Sequence, residues 1–311
     1  MKVLFMGTPE FVLPVLDKLR VDNHEIVSIY TKADKVSGNG RKSKTNAIKA
    51  YALSNDIPCV QPVSFKSKTE IDKIRSVNAD IVIIAAYGIL LPKNILDAFP
   101  YGCINIHPSL LPKYRGPTPV ASAIMNGDSI TGITIIKLNE AMDSGPILVQ
   151  KKIVISIAEQ CDGLTKRLFK ESANLLSDTL SLIEQSKITL IDQNHNEATY
   201  CKMFTRETGL IDWNQSAQQI DRIVKALYPW PGSFTYINNK ILKILESTFN
   251  QSNYLPIGQI DLNSSIMIGT NEGTLEVQRL QIEGKRNMTS KEFVLGNKHL
   301  HMQTLGTKIS R

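Results

Sequence analysis

The run that most restricts how this chain can fold is Asp80–Ala86, D-I-V-I-I-A-A. An unbroken apolar stretch this short, β-branched at its centre, reads as a strand covered on both faces. Such a strand needs helices above and below it. The pattern around it provides them. Lys2–Met6 reads as another buried strand and Glu25–Thr31 as a third. Gly7-Thr8-Pro9-Glu10 turns into a helix, with Thr8 suited to the N-cap and Pro9 to the first helical position, and Pro14 is expected to kink it before about Leu19. Helices are predicted over Asn46–Ser54, Thr69–Val77, Pro117–Asn126 and Gly163–Gln185, and strands over Pro58–Pro62, Thr131–Leu138 and Ile147–Ile155. Strand alternating with helix predicts a doubly wound, mostly parallel α/β sheet, with ligands beyond the carboxyl ends of its strands. The first strand–turn–helix lacks G-x-G-x-x-G, so a dinucleotide is not indicated.

Residues 189–206 have weak periodicity and many polar side chains and read as a linker, separating a domain at 1–188 from one at 207–311. After a helix over Ser216–Tyr228, stopped by Pro229, the pattern shortens to alternating runs at Ser233–Ile237, Ile241–Glu246, Ile266–Ile268 and Leu275–Leu280. These predict a small OB-like β-barrel, an architecture that often binds nucleic acid and also serves as a plain interaction scaffold.

The chain has 311 residues and a formal charge of +7, but the location of the charge matters more. Lys32, Lys35, Arg41, Lys42, Lys44 and Lys49 face Asp34 alone within eighteen residues, a local excess of about +5. Such a stretch is either a solvated face or a contact for a phosphate backbone. Cys59, Cys103, Cys161 and Cys201 are far apart, form no C-x-x-C pair and, with five scattered histidines, offer no metal-ligand spacing. No metal is expected. With no apolar run of membrane-spanning length and no signal peptide, a cytoplasmic location without membrane contact is expected.

Chemistry concentrates at C-I-N-I-H-P-S-L-L-P-K-Y-R-G, Cys103–Gly116. Ile104-Asn105-Ile106-His107 alternates as a strand does, and Pro108 ends it. Asn105 and His107, two apart, share one face. A carboxamide can hold an oxyanion while an imidazole beside it moves a proton near neutrality, which is the chemistry of acyl transfer. Asp143, in the turn N-E-A-M-D-S-G-P-I, could orient the imidazole.

N-I-H-P-S-L-L-P-K-Y-R-G followed by M-D-S-G-P-I resembles the signature of the folate-dependent formyltransferases. M-K-V-L-F-M-G-T-P-E-F, A-A-Y-G-I-L-L-P, Y-P-W-P-G-S-F and L-Q-I-E-G-K-R-N-M are similar to the methionyl-tRNA formyltransferases within that family. The resemblance implies 10-formyltetrahydrofolate as donor and the α-amine of initiator methionyl-tRNA as acceptor. It makes Asn105, His107 and Asp143 the catalytic group. It places the folate among Ile89, Leu90, Leu91, Ser109, Leu110, Leu111 and Pro112. It also gives the basic loop a tRNA contact through Arg41, Lys42 and Lys44, although Asn39 stands where the family's G-R-G-K-K pattern has arginine. A monomer is expected. Transfer to a small amine, such as an amino-sugar nucleotide, is the competing reading of the site, and it leaves the basic loop and barrel idle. A nucleic-acid-binding module on an inactive α/β scaffold is a third reading, which leaves Asn105, His107 and Asp143 without purpose.

Overall fold

The expected alternation is present, and it builds one sheet around the apolar run. The computed structural model describes residues 1–37, 42–252 and 255–306. The elements of the first part are β1 (Lys2–Gly7), α1 (Leu13–Val21), β2 (Glu25–Tyr30), β3 (Lys35–Ser37), β4 (Lys42–Lys44), α2 (Ala47–Ser54), β5 (Cys59–Val60) and α3 (Lys68–Arg75). They continue with β6 (Ile81–Ala85), α4 (Lys93–Leu96), β7 (Cys103–His107), α5 (Pro119–Asn126), β8 (Ile130–Lys137), β9 (Ile147–Val154) and α6 (Cys161–Glu184). Among the described residues the sheet has seven strands in the order β5-β2-β1-β6-β7-β8-β9. β5 to β7 are parallel, and β8 and β9 extend the sheet antiparallel. Every residue of β6 is buried, as its uninterrupted apolar sequence requires. Because β6 and β7 run together, with Ala85 beside Ile106, their carboxyl ends open on the same edge.

Two local expectations change. Pro14 does not kink α1; it lies in the first turn, where a missing N–H leaves no gap in the helical ladder. On either side of residues 38–41, which lie outside the described residues, the basic stretch also forms two short strands. β3 and β4 pair antiparallel, Lys35 with Lys44 and Ser37 with Lys42, and the side chain of Asp34 ties down the base of the ribbon. Its Oδ1 accepts from the Asn46 backbone N–H at 3.1 Å and from Gln61 Nε2 at 3.1 Å, and its Oδ2 lies 2.7 Å from Lys49 Nζ.

The chain divides into two compact units. The first comprises Met1–Pro119, Ile130–Val154 and Thr165–Cys201, and the second Val120–Ser129, Ile155–Leu164 and Lys202–Arg311. Residues 189–201, in the stretch expected to be a linker, pack with the first unit: Ile191 bridges Ile147 and Tyr200 bridges Arg115. In the second unit Gln160 Nε2 donates to Leu245 O at 2.7 Å and Gln219 Nε2 to Met125 O at 3.0 Å.

The second unit contains α7 (Ala217–Leu227), β10 (Ser233–Ile237), β11 (Lys240–Asn250), β12 (Ile260–Asp261), β13 (Ile266–Gly269), β14 (Thr274–Ile282), β15 (Met288–Thr289) and α8 (Ser290–Gly296). Its sheet runs β10-β11-β14-β13-β12, with β15 on β14. Residues 302–306 join the two edge strands: Tyr236 bridges Gly306, and Met302 N–H donates to Ile260 O at 2.7 Å. Covering both edges in this way closes the sheet into the expected small barrel. Trp213, Ile220, Val224, Leu242, Ile244, Leu280 and Phe293 belong to its core.

Candidate active site

β7 delivers Asn105 and His107 to the open edge of the sheet, and Pro108 ends the strand there. His107 lies opposite Thr134 on β8. The turn between β8 and β9 carries Asp143, whose backbone is left-handed at φ 48. That conformation is unusual for a residue other than glycine, and it turns the carboxylate back toward β7. The three side chains predicted to meet do meet. Asp143 Oδ1 is 3.6 Å from His107 Nδ1 and 3.5 Å from Asn105 Nδ2, and Oδ2 accepts the Gly116 N–H at 2.8 Å.

His107 is buried, and its Nε2 lies 2.9 Å from Tyr114 O. A carbonyl only accepts, so Nε2 carries the proton and donates. In the neutral ring Nδ1 is then a lone pair, facing the Asp143 carboxylate. Burial pushes the imidazole pKa below its ordinary value, partly opposed by the nearby Asp143 charge and by the Tyr114 carbonyl. Two acceptors face each other across 3.6 Å, too far for a shared hydrogen bond and well placed to receive N–H groups of a third molecule. Asn105 contributes a donor beside them. The group can therefore take protons from an attacking amine and present an amide N–H to an oxygen that gains charge.

The structure gives the other expected site residues different surroundings. The Ser109 side chain is fully buried and donates to Lys113 O at 2.7 Å, while its carbonyl accepts from Thr134 Oγ1 at 2.6 Å. Leu111 packs with Ile136 and Ile147; its N–H donates to Thr134 Oγ1 at 3.1 Å and its O accepts from Gln150 Nε2 at 2.7 Å. Leu110 lies over Gly132, where a β-carbon would come within 2.4 Å of its side chain. The Pro112 carbonyl accepts from Thr199 N–H at 3.2 Å. Ile89 and Leu91 pack in part against the core beside β6, whereas Leu90 is 78% exposed. A groove of about 360 Å³ lies between Lys93, Leu96 and Asp97 on one side and Leu138–Ala141 on the other, so it adjoins the Asp143 turn. Arg41 lies outside the described residues, and Lys42 and Lys44 lie on β4. Among the described residues no group of three or more His, Cys, Asp or Glu is placed to hold a metal ion, and no helix is long and apolar enough to cross a membrane.

Sequence reasoning missed Tyr114 and Gly116. Tyr114 and Gly116 act through backbone groups, which leave no side-chain signature. Gly116 has φ 115, and a β-carbon there would come to 2.5 Å from Cys201 O. Glycine lets the two segments approach that closely.

Two families match the chain, one after the other. The family described as formyl transferase matches residues 1–180, and formyl transferase, C-terminal domain, matches residues 203–298. The methionyl-tRNA formyltransferase of Alkaliphilus oremlandii is 38% identical over 96% of this chain and 97% of its own length. That of Thermodesulfovibrio yellowstonii is 38% identical over 95% and 96%. Among solved structures, an N-formyltransferase from Helicobacter canadensis, in complex with folinic acid and dTDP-3-aminofucose, superposes with a TM-score of 0.68 at 18% identity, covering 89% of this chain and 98% of its own. At that identity the likeness is one of fold.

Proposed function

The chain belongs to the methionyl-tRNA formyltransferase family of formyl transferases, and from that premise we propose that it moves a formyl group from 10-formyltetrahydrofolate to the α-amine of initiator methionyl-tRNA. The observation that carries the chemistry is the meeting of Asn105, His107 and Asp143 at the open edge of the sheet. The folate supplies an activated formyl group. Asn105 directs an amide N–H at the formyl oxygen as it becomes anionic. His107 Nδ1, the ring nitrogen left free by Tyr114, takes a proton from the amine as the new carbon–nitrogen bond forms and gives it to the folate N10 as the formyl–N10 bond breaks and tetrahydrofolate leaves. Asp143 stabilises the charge that His107 then bears, and the Gly116 N–H keeps its carboxylate in place.

In this reading residues 1–188 carry catalysis, 207–311 contact the tRNA, and 189–206 lie between them. The folate lies against Ile89, Leu90, Leu91 and Ser109–Pro112, using backbone groups and the exposed Leu90 more than the buried side chains of Ser109 and Leu111. Arg41, Lys42 and Lys44 meet the phosphate backbone of the acceptor stem. The enzyme works as a cytoplasmic monomer.

One assay tests the whole reading: formyl transfer from 10-formyltetrahydrofolate to charged initiator tRNA, beside free methionine and amino-sugar nucleotides. Transfer to the charged tRNA alone is expected. Transfer only to a small amine would replace this reading with the competing one.

A further inference from the structure

Residues 189–206 were expected to do no more than connect. Gln193, within them, is buried, and its amide is fully used. Its Nε2 donates to Asp143 O at 2.9 Å and to Gly145 O at 2.7 Å. Its Oε1 accepts from Arg115 Nε at 3.1 Å and from Arg115 Nη2 at 2.7 Å. Arg115 is itself 2% exposed and has no carboxylate within ion-pair distance among the described residues. Its remaining contacts are the Tyr200 hydroxyl at 3.3 Å, His195 Nδ1 at 3.0 Å and the Tyr200 ring.

Burying a guanidinium among uncharged partners is costly, and a carboxylate opposite it would serve stability better. A carboxylate could not donate to the two carbonyls of the Asp143 turn. Glutamine satisfies both sides, so its chemistry matches the turn as well as the arginine. Further along the same segment, Thr199 Oγ1 accepts the Tyr114 N–H at 2.8 Å and Thr199 O accepts the Arg115 N–H at 2.8 Å. Cys201 N–H donates to Arg115 O at 2.8 Å. Tyr114, held left-handed at φ 60, is the residue whose carbonyl fixes the His107 tautomer. One segment thus grips both backbone turns that aim the imidazole and the carboxylate.

We propose that residues 193–201 form a strap over the catalytic group, and that Gln193, anchored by Arg115, is a positioning residue that sets Asp143 against His107. This rests on the assignment of Asn105, His107 and Asp143 as catalytic.

The test uses the full chain, measuring kcat and both KM values for formyl transfer together with the melting temperature. Gln193→Glu gives Arg115 a charged partner and removes the donors to the turn. Its melting temperature is expected at or above wild type, with kcat down roughly tenfold or more and both KM values within about twofold. Wild-type kcat in this variant overturns the proposal, as does a kcat loss matched by loss of folded protein. Should Gln193→Glu not fold, Gln193→Met, which also lacks the donors, replaces it under the same two criteria. Failure of both to fold assigns Gln193 to stability alone and overturns the proposal. Asp143→Asn separates this outcome from failure of the site assignment: if it stays active, the assignment itself fails, whatever Gln193 does.

Discussion

Replacing Asp143 with asparagine removes a charge while keeping the shape of the turn. Its carboxamide oxygen can still accept the Gly116 N–H, now made at 2.8 Å, so the local fold should survive. What disappears is the attraction between the carboxylate and a protonated His107. With Oδ1 and Nδ1 3.6 Å apart, a largely buried pair at an effective dielectric of about 20 interacts by about 4–5 kcal/mol. If His107 bears that charge only as the amine attacks, the loss falls on kcat and amounts to a decrease on the order of a thousandfold. The measurement is single-turnover formyl transfer to charged tRNA, with donor and acceptor saturating, beside the melting temperature of each protein. A folded Asp143→Asn variant within about tenfold of wild type would show that this carboxylate does not stabilise a charged imidazole in the transition state.

Four further outcomes can be measured. Because burial holds the folded His107 below its ordinary value of 6.5, the unfolded chain binds the proton more readily; stability is full above about pH 6.5 and falls as pH drops through the window below it. Urea titrations at pH 7 and pH 5 should show a smaller difference for His107→Asn than for wild type, and an equal difference would rule His107 out as a source. Gly116→Ala must place a β-carbon at φ 115, 2.5 Å from Cys201 O, so it should lose about 2–4 kcal/mol of stability by denaturant titration as well as activity. In the barrel, the buried Asp221 accepts from Lys225 Nζ at 2.5 Å and Ser247 Oγ at 2.8 Å. Lys225→Met should cost about 3–5 kcal/mol by leaving that carboxylate without its cation, and Asp221→Leu added to it should restore most of the loss. Arg41→Ala with Lys42→Ala should raise KM for tRNA and flatten its dependence on salt, with KM for the folate unchanged.

The α/β half was legible because its signals are local and strong. Ile81–Ala86 has no polar face to show to water, and the Ile104–His107 alternation places two side chains on one face whatever the rest of the chain does. Asp143 was legible as a carboxylate in a polar turn beside a strand. Helix starts were less so: Pro14 satisfies a first turn and a kink equally well until the neighbouring residues choose, and here Glu10–Val12 tighten into a 3-10 turn that moves the start of α1 to Leu13. β12 and β15, two residues each, are shorter than a periodicity needs to declare itself, and they exist because the barrel pairs them.

The harder loss concerns residues whose work is done for another residue. Ser109 looked available for a ligand, and its hydroxyl instead closes the Ser109–Lys113 turn. Gln193 looked like one more polar residue in a connector, yet it contacts the backbone on one side and a buried cation on the other. Sequence patterns report what a side chain can do for its own stretch of chain. The segment 193–201 acts at a sequence distance of about fifty to ninety residues, and its targets are carbonyls and N–H groups that every residue possesses. Such a contact becomes readable only through its geometry: a buried amide with every hydrogen bond made, set opposite a guanidinium that lacks an acid. That combination marks Gln193 as part of the site although it touches none of the reacting atoms.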